Sequence, residues 1–239
     1  MAAGFILYNS SMSNMRLKLY NTLTRKKELF EPLEEGEVSF YTCGPTVYDY
    51  AHVGNLRTYI FEDMLRRVLE YNDYKVNHVM NITDVGHLTS DADAGEDKMI
   101  KALKREGKEL NEESVLAIAD FYTKAFEKDL ERLNIKRPAR MPKATEHIKE
   151  QIEMIKKIMD NGYGYETKTA VYFDTEKLDG YEELAGMDLD EQKWEKRKDK
   201  KHPADFALWL KLVGEHEKHI MNWESPWGSG DGWKRRRRL

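Results

Sequence analysis

Cysteine occurs once in the 239 residues, at Cys43, so no disulfide can form within the chain. A secreted disulfide scaffold is excluded, and a reducing compartment suits the composition. No apolar run approaches the ~20 residues needed to cross a bilayer, which excludes a spanning helix. The opening MAAGFILYNSSMSNM has no basic n-region and only a short apolar run, so it does not read as a signal peptide. A cytoplasmic location without a membrane partner is the expectation. Neither charge sign dominates: 39 Lys and Arg against 43 Asp and Glu give a formal net charge of −4. That balance neither supports nor excludes RNA as a partner, because RNA binding needs only a local basic surface. No internal repeat is visible.

What is present is a highly charged chain, 34% charged and 40% hydrophobic. It is long enough for one large α/β domain, or one domain with an insertion. The stretch that organises it is Phe40 to Thr58, FYTCGPTVYDYAHVGNLRT. It starts as a strand, passes a loop at Gly44 and Pro45, and reaches His52-Val53-Gly54-Asn55. Ile60, Phe61, Met64, Leu65, Val68 and Leu69 then recur at helical spacing. His52, Gly54 and Asn55 therefore belong at a strand-to-helix junction. Unpaired backbone N–H groups and the helix dipole make such a junction a phosphate site. Gly54 allows close approach of a ligand, while His52 and Asn55 can both donate hydrogen bonds. Four residues occur by chance, however, and a lone histidine at a helix start is more often a cap.

Along the chain, Leu17–Thr22 reads as a strand and Arg25-Lys26-Lys27 as a turn. Val38–Cys43, Arg57–Asn72 and Lys75–Asn81 form a strand, helix and strand, hence a βαβ unit with parallel strands. Ligands of such sheets sit beyond the carboxyl ends of the strands, which puts Cys43–Tyr48 and Ile82–Asp84 on one rim. Ser90–Asp97 is acidic but lacks EF-hand spacing, and reads as a solvated loop before a helix at Asp97–Glu106. Asn111 caps a helix running to Asn134, with Ile118, Tyr122, Phe126, Leu130 and Leu133 on one face. Another helix follows Thr145, carries Ile148, Ile152, Ile155 and Met159, and stops at Asn161-Gly162. Between these helices IKRPARMPKAT is either a solvated linker or a contact for RNA backbone. Tyr163–Glu166 and Ala170–Asp174 read as a hairpin, Gln192–His202 as a charged surface loop, and Phe206–Leu212 as a buried strand or helical turn.

TCGPTVYD followed by HVGN and Arg57 resembles the nucleotide-binding signature of the class I aminoacyl-tRNA synthetases, and within them the cysteinyl-tRNA synthetase family. LYNTLTRKKELFEP, NITDVGH, HPADFALW and WESPWG extend the likeness from Arg16 to Trp233. The resemblance implies an α/β Rossmann-like catalytic domain with an inserted helical and hairpin region. Residues 15–233 would be its front part, residues 1–14 an extension and 234–239 a basic tail outside the family. It implies ATP-dependent activation of cysteine, with Mg2+, and transfer to tRNA by a monomeric enzyme. His52 and Asn55 would be catalytic. Thr46, Tyr48, His52, Gly54 and Asn55 would bind ATP. Cys43, Gly44, Thr83 and Trp233 would bind cysteine, with Cys43 also a zinc ligand. A thiolate–zinc bond distinguishes cysteine from serine by ligand softness.

The family's later HIEC and KMSKS motifs have no counterpart here. Cys43 has no second cysteine to share a metal with, and zinc needs three or four ligands. The chain reads as an incomplete copy, with negligible cysteine-dependent ATP–pyrophosphate exchange on its own. Two alternatives stand beside it. One is a non-catalytic nucleotide- or RNA-binding module using the basic tail; the other is a ligase joining cysteine to an amino-sugar.

Overall fold

The computed structural model describes residues 17–85, 98–181, 183, 199–213 and 219–231. The expected extension 1–14, the acidic stretch Ser90–Asp97, most of the charged run from Gln192, Trp233 and the tail 234–239 lie outside the described residues.

An antiparallel hairpin comes first, β1 (Lys18–Asn21) with β2 (Lys26–Leu29). Its turn places Arg25 at a positive φ of 57°. The βαβ unit follows: β3 (Glu37–Thr42), α1 (Val53–Tyr71) and β4 (Lys75–Met80). β3 and β4 are parallel, with Phe40 opposite His78 and Thr42 opposite Met80. Val38, Thr42, His78 and Met80 are buried on one face of this pair.

The basic segment IKRPARMPKAT, open between a linker and an RNA contact, supplies a third extended ribbon. Val79 bridges Arg140 and Ile82 bridges Lys143, both parallel to β4. Met80 N–H donates to the Arg140 carbonyl at 3.0 Å, and Ile82 N–H to the Pro142 carbonyl at 2.8 Å. Pro142 thus accepts where a central strand would ordinarily also donate, so a residue that normally demotes a strand is accommodated at an edge.

α2 (Lys98–Arg105) and α3 (Glu112–Arg132) supply the main core with β4. Asn111 caps α3 by accepting from Ser114 N–H at 2.8 Å. Ile118, Tyr122, Phe126 and Leu130 are buried as their spacing predicts, whereas Leu133, at the helix end, is exposed.

After a short 3-10 turn at Ala144–His147, α4 (Ile148–Asp160) packs Ile155 against a second sheet. That sheet is antiparallel, in the order β5 (Gly164–Glu166), β6 (Ala170–Phe173), β7 (Phe206–Lys211), β8 (Gly230–Asp231). The expected hairpin is β5–β6, and Phe206–Lys211 is a strand with Trp209 fully buried. Among the described residues no helix is long and apolar enough to cross a membrane.

α1 departs from the simplest reading of its sequence. Of the expected apolar stripe, Ile60, Phe61, Met64 and Val68 are exposed, Leu65 is half-buried and only Leu69 is buried, alongside Tyr59, Glu62 and Asp63. The inward side is held by polar contacts instead. Asp63 accepts from Lys136 N–H at 2.9 Å, Arg66 donates to the Arg137 carbonyl at 2.9 Å and Arg67 to the Asn134 carbonyl at 2.6 Å.

Candidate nucleotide site at the strand-to-helix junction

The loop leaving β3 is fastened to the residues that follow β4. Asn81 is the fastener: its Oδ1 accepts from Gly44 N–H at 3.1 Å and from the Tyr41 hydroxyl at 3.0 Å, and its Nδ2 donates to Thr83 Oγ1 at 3.0 Å. Backbone bonds continue the pairing past the strand ends. Thr83 N–H donates to the Pro45 carbonyl at 2.9 Å, Val47 N–H donates to the Thr83 carbonyl at 3.1 Å, and Thr46 bridges Thr83. Cys43, Gly44, Thr46 and Thr83 therefore share the rim that the βαβ rule predicts. Gly44 is required by contact: a Cβ there would lie 1.7 Å from the Asn81 carbonyl oxygen.

A second brace holds the outer part of the loop. Arg105 of α2 donates to Asp49 Oδ2 at 2.7 Å, to the Tyr48 carbonyl at 2.9 Å and to the Tyr122 hydroxyl at 2.8 Å. Tyr122 donates to Glu106 at 2.5 Å, and burial together with that bond pushes its phenol up to about 12. The Lys98 ammonium lies 5.3 Å from the centroid of the Tyr48 ring.

The loop ends in a reciprocal cap. Gly54 N–H donates to His52 Nδ1 at 3.1 Å, and His52 N–H donates to Asn55 Oδ1 at 3.3 Å. This is the capping-box arrangement, with His52 at the N-cap and Asn55 three residues on. A helix start with bare backbone donors was the expectation. Instead Gly54 N–H is held by the imidazole and Asn55 N–H by the His52 carbonyl at 2.9 Å. What the cap does is aim side-chain donors. With Nδ1 accepting, the neutral His52 ring carries its proton on Nε2; with Oδ1 accepting, Asn55 keeps its Nδ2 donors. His52 is exposed at this end of the helix. Gly54 leaves room for the ring, since a Cβ there would lie 2.9 Å from His52 Cε1.

Cys43 is an exposed free thiol. Among the described residues no group of three His, Cys, Asp or Glu side chains could hold a metal ion. These residues do not fit zinc, and no step below runs through a metal. Asp84, beside Thr83, is buried and accepts from Thr145 N–H at 3.1 Å and Thr145 Oγ1 at 2.5 Å, an anchoring role.

Asn81 and Arg105 are the site residues that sequence reading missed. Asn81 carried a signal, its place at the head of NITD directly after a strand. Arg105 carried none, because its partners lie 56 and 57 residues away.

The description "tRNA synthetases class I (C) catalytic domain" matches residues 29–235. A cysteine--tRNA ligase of Treponema denticola is 53% identical over 224 residues, 92% of this chain and 44% of that protein. Cysteine--tRNA ligase 1 of Burkholderia lata is 51% identical over 92% of this chain and 46% of its own length. A cysteine--tRNA ligase of Chlorobium chlorochromatii is 44% identical over 92% and 45%. The chain thus spans somewhat less than half the length of the curated relatives it matches.

Proposed function

The chain belongs to the class I (C) tRNA synthetase catalytic-domain family, and from that premise we propose that residues 43–55 seat ATP for the activation of cysteine and its transfer to tRNA. In the first step a cysteine carboxylate oxygen attacks the α-phosphorus of ATP, and pyrophosphate leaves. In the second a hydroxyl of the terminal ribose of tRNA attacks the carbonyl carbon, and AMP leaves. Such transfers need position and charge stabilisation more than covalent help.

The observation that carries this reading is the reciprocal cap. It commits His52 Nδ1 and Asn55 Oδ1 as acceptors, leaving His52 Nε2–H and Asn55 Nδ2 as donors for phosphate oxygens. Thr46 and Tyr48, in a loop braced from both sides, would line the ATP seat. Cys43, Gly44 and Thr83, on the neighbouring rim, would face the amino acid. Trp233, assigned to the same pocket by resemblance, lies outside the described residues.

A second reading is favoured by a specific observation. No metal-holding group stands beside Cys43 among the described residues, so the chain can present the nucleotide half of the site without selecting cysteine. ATP–pyrophosphate exchange with cysteine or serine, alongside ATP binding, separates the two. Exchange that requires cysteine and drops at least about tenfold in His52→Asn supports the full reaction. ATP binding without exchange assigns the nucleotide half alone. Absence of ATP binding overturns both.

A further inference from the structure

Where α1 meets the β3–β4 pair, three buried polar side chains form a chain. Thr42 and His78 lie on the same face of the parallel pair, and Thr42 Oγ1 is 2.9 Å from His78 Nε2. The Thr42 hydroxyl also bonds the Glu62 carboxyl of α1. Glu62 is 9% exposed and His78 2%. Glu62 Oε2 and His78 Nδ1, the outer atoms of this chain, are the two buried side-chain polar atoms without a hydrogen-bond partner among the described residues. Native interiors leave few such groups, and each calls for a physical reason.

A hydroxyl between a carboxyl and an imidazole can run in either direction. With Glu62 ionised, Thr42 O–H donates to the carboxylate, and Thr42 Oγ1 accepts from His78 Nε2–H. With Glu62 protonated by solvent, its O–H donates to Thr42 Oγ1. Thr42 then turns its own proton to His78 Nε2, and the His78 proton sits on Nδ1. His78 keeps one proton throughout, so the net change is the proton that Glu62 exchanges with water. Burial brings that exchange near neutrality: it pushes the Glu62 carboxyl up to about 7, against a smaller lowering by Thr42. Burial also pushes His78 down, as Arg66 does, while Asp63 acts the other way, and the ring is neutral near pH 7. The cations of the adjacent ribbon turn elsewhere, Lys136 to Glu70 and Arg137 to Glu127.

Asp63, Arg66, Arg67 and Glu70 strap the second half of α1 to residues 134–137. The first half leads back to the His52–Asn55 cap. It is seated by Leu56, by Tyr59 against the Phe126 ring at 5.0 Å, and by Glu62. An ionised Glu62 there is a buried charge with one oxygen unpaired among the described residues, and it favours local opening. We propose that Glu62, Thr42 and His78 form a proton relay that sets how firmly the nucleotide end of α1 is seated, tight when Glu62 is protonated and looser when it is ionised. That this end takes a nucleotide rests on the function proposed above; the relay rests on the three side chains.

The test is a pH titration of the 15N-histidine-labelled chain by NMR, together with hydrogen exchange. His78 Nε2 should pass from an acceptor to an N–H nitrogen as pH rises through about 7. Thr42→Ser should keep this change, while Thr42→Val and Glu62→Gln should abolish it. A Glu62 with a structural role alone would leave the His78 nitrogens unmoved. After correction for intrinsic exchange rates, the opening constant of amides 56–62 should rise about tenfold between pH 6 and pH 8 in the wild type. That is the ratio expected for a carboxyl near 4.5 when exposed and about 7 when buried. The constant should stay flat in Glu62→Gln, and amides 64–70 should change less. A His78 tautomer that ignores pH in the wild type, or still follows it in Thr42→Val, overturns the proposal. So does opening that rises equally in the wild type and Glu62→Gln. ATP affinity measured on the same samples reads the nucleotide site separately: no ATP binding at either pH overturns the nucleotide reading, while the nitrogen signals still judge the relay.

Discussion

At the residue scale, one glycine and an asparagine decide whether the loop can exist. Gly44→Ala would drive a methyl group onto the Asn81 carbonyl, a backbone atom that cannot rotate away. A loss of about 1–3 kcal/mol is expected, at the overpacking end of core changes. Asn81→Ala would leave Gly44 N–H and Tyr41 without their shared acceptor and should cost about 1–3 kcal/mol. Chemical denaturation measures both. An unchanged midpoint in either would show that the loop is not fastened as described. Gly54→Ala differs, because the methyl would meet the flexible His52 ring rather than backbone. Stability should change little while ATP affinity falls, since the ring that presents Nε2–H is pushed aside. Cys43, Gly44, Thr46, Thr83 and His52 could all be placed from the sequence, because they follow strand ends by short, regular steps. The use of His52 Nδ1 could not, because side-chain capping depends on the ring rotamer, which no spacing reveals.

At the element scale α1 is the informative case. Its C-terminal end was legible from periodicity, but its start at Val53, a turn before the expected Arg57, and its orientation were not. Periodicity identifies an apolar face without saying whether the described chain covers it. Glu62 illustrates the consequence. It meets Thr42 of β3, and its Oε2 is buried without a hydrogen-bond partner among the described residues. Burial is the main cause that pushes its carboxyl from 4.5 up to about 7, against a smaller lowering by Thr42. The folded state therefore keeps a proton that the unfolded chain releases near 4.5. The associated stability is fully present below that pH and is lost as pH rises through about 7. His78, pushed down first by burial and then by Arg66, has the opposite sign and loses stability as pH falls below its ordinary range. Glu62→Gln removes only the first slope. Its stability should exceed wild type at pH 8, with the difference shrinking toward pH 5. Parallel pH profiles for the two proteins would refute this account. The ribbon at 139–143 was hidden for another reason: Pro138 and Pro142 break strand patterns, and Pro142 is tolerated because its carbonyl accepts from Ile82 N–H while its neighbours supply the donors.

At the scale of the whole molecule, two layers meet different fates. The antiparallel β5–β8 sheet closes over Val171, Leu208 and Trp209 with α4 behind it. The β3–β4 unit carries the family signature, yet leaves a strand edge and a helix stripe uncovered among the described residues. The signature motifs were legible because they hold the loop by local steps. The bracing by Arg105 was not, because it joins segments that only the fold brings together. Arg105→Ala should accordingly loosen residues 46–50 without unfolding α2, visible as faster hydrogen exchange in that loop and unchanged exchange in α3. Equal protection in both proteins would count against the brace.

The central claim is that His52 presents a phosphate donor from a self-capped helix start. Equilibrium dialysis of ATP against the wild-type chain and His52→Asn tests it most directly, because asparagine is also a favoured N-cap and removes the ring with little loss of capping. The account predicts matching melting profiles and roughly tenfold or greater weakening of ATP binding in the variant, the loss of one hydrogen bond to a charged acceptor. ATP binding equal in the two proteins, or none in the wild type, would contradict it.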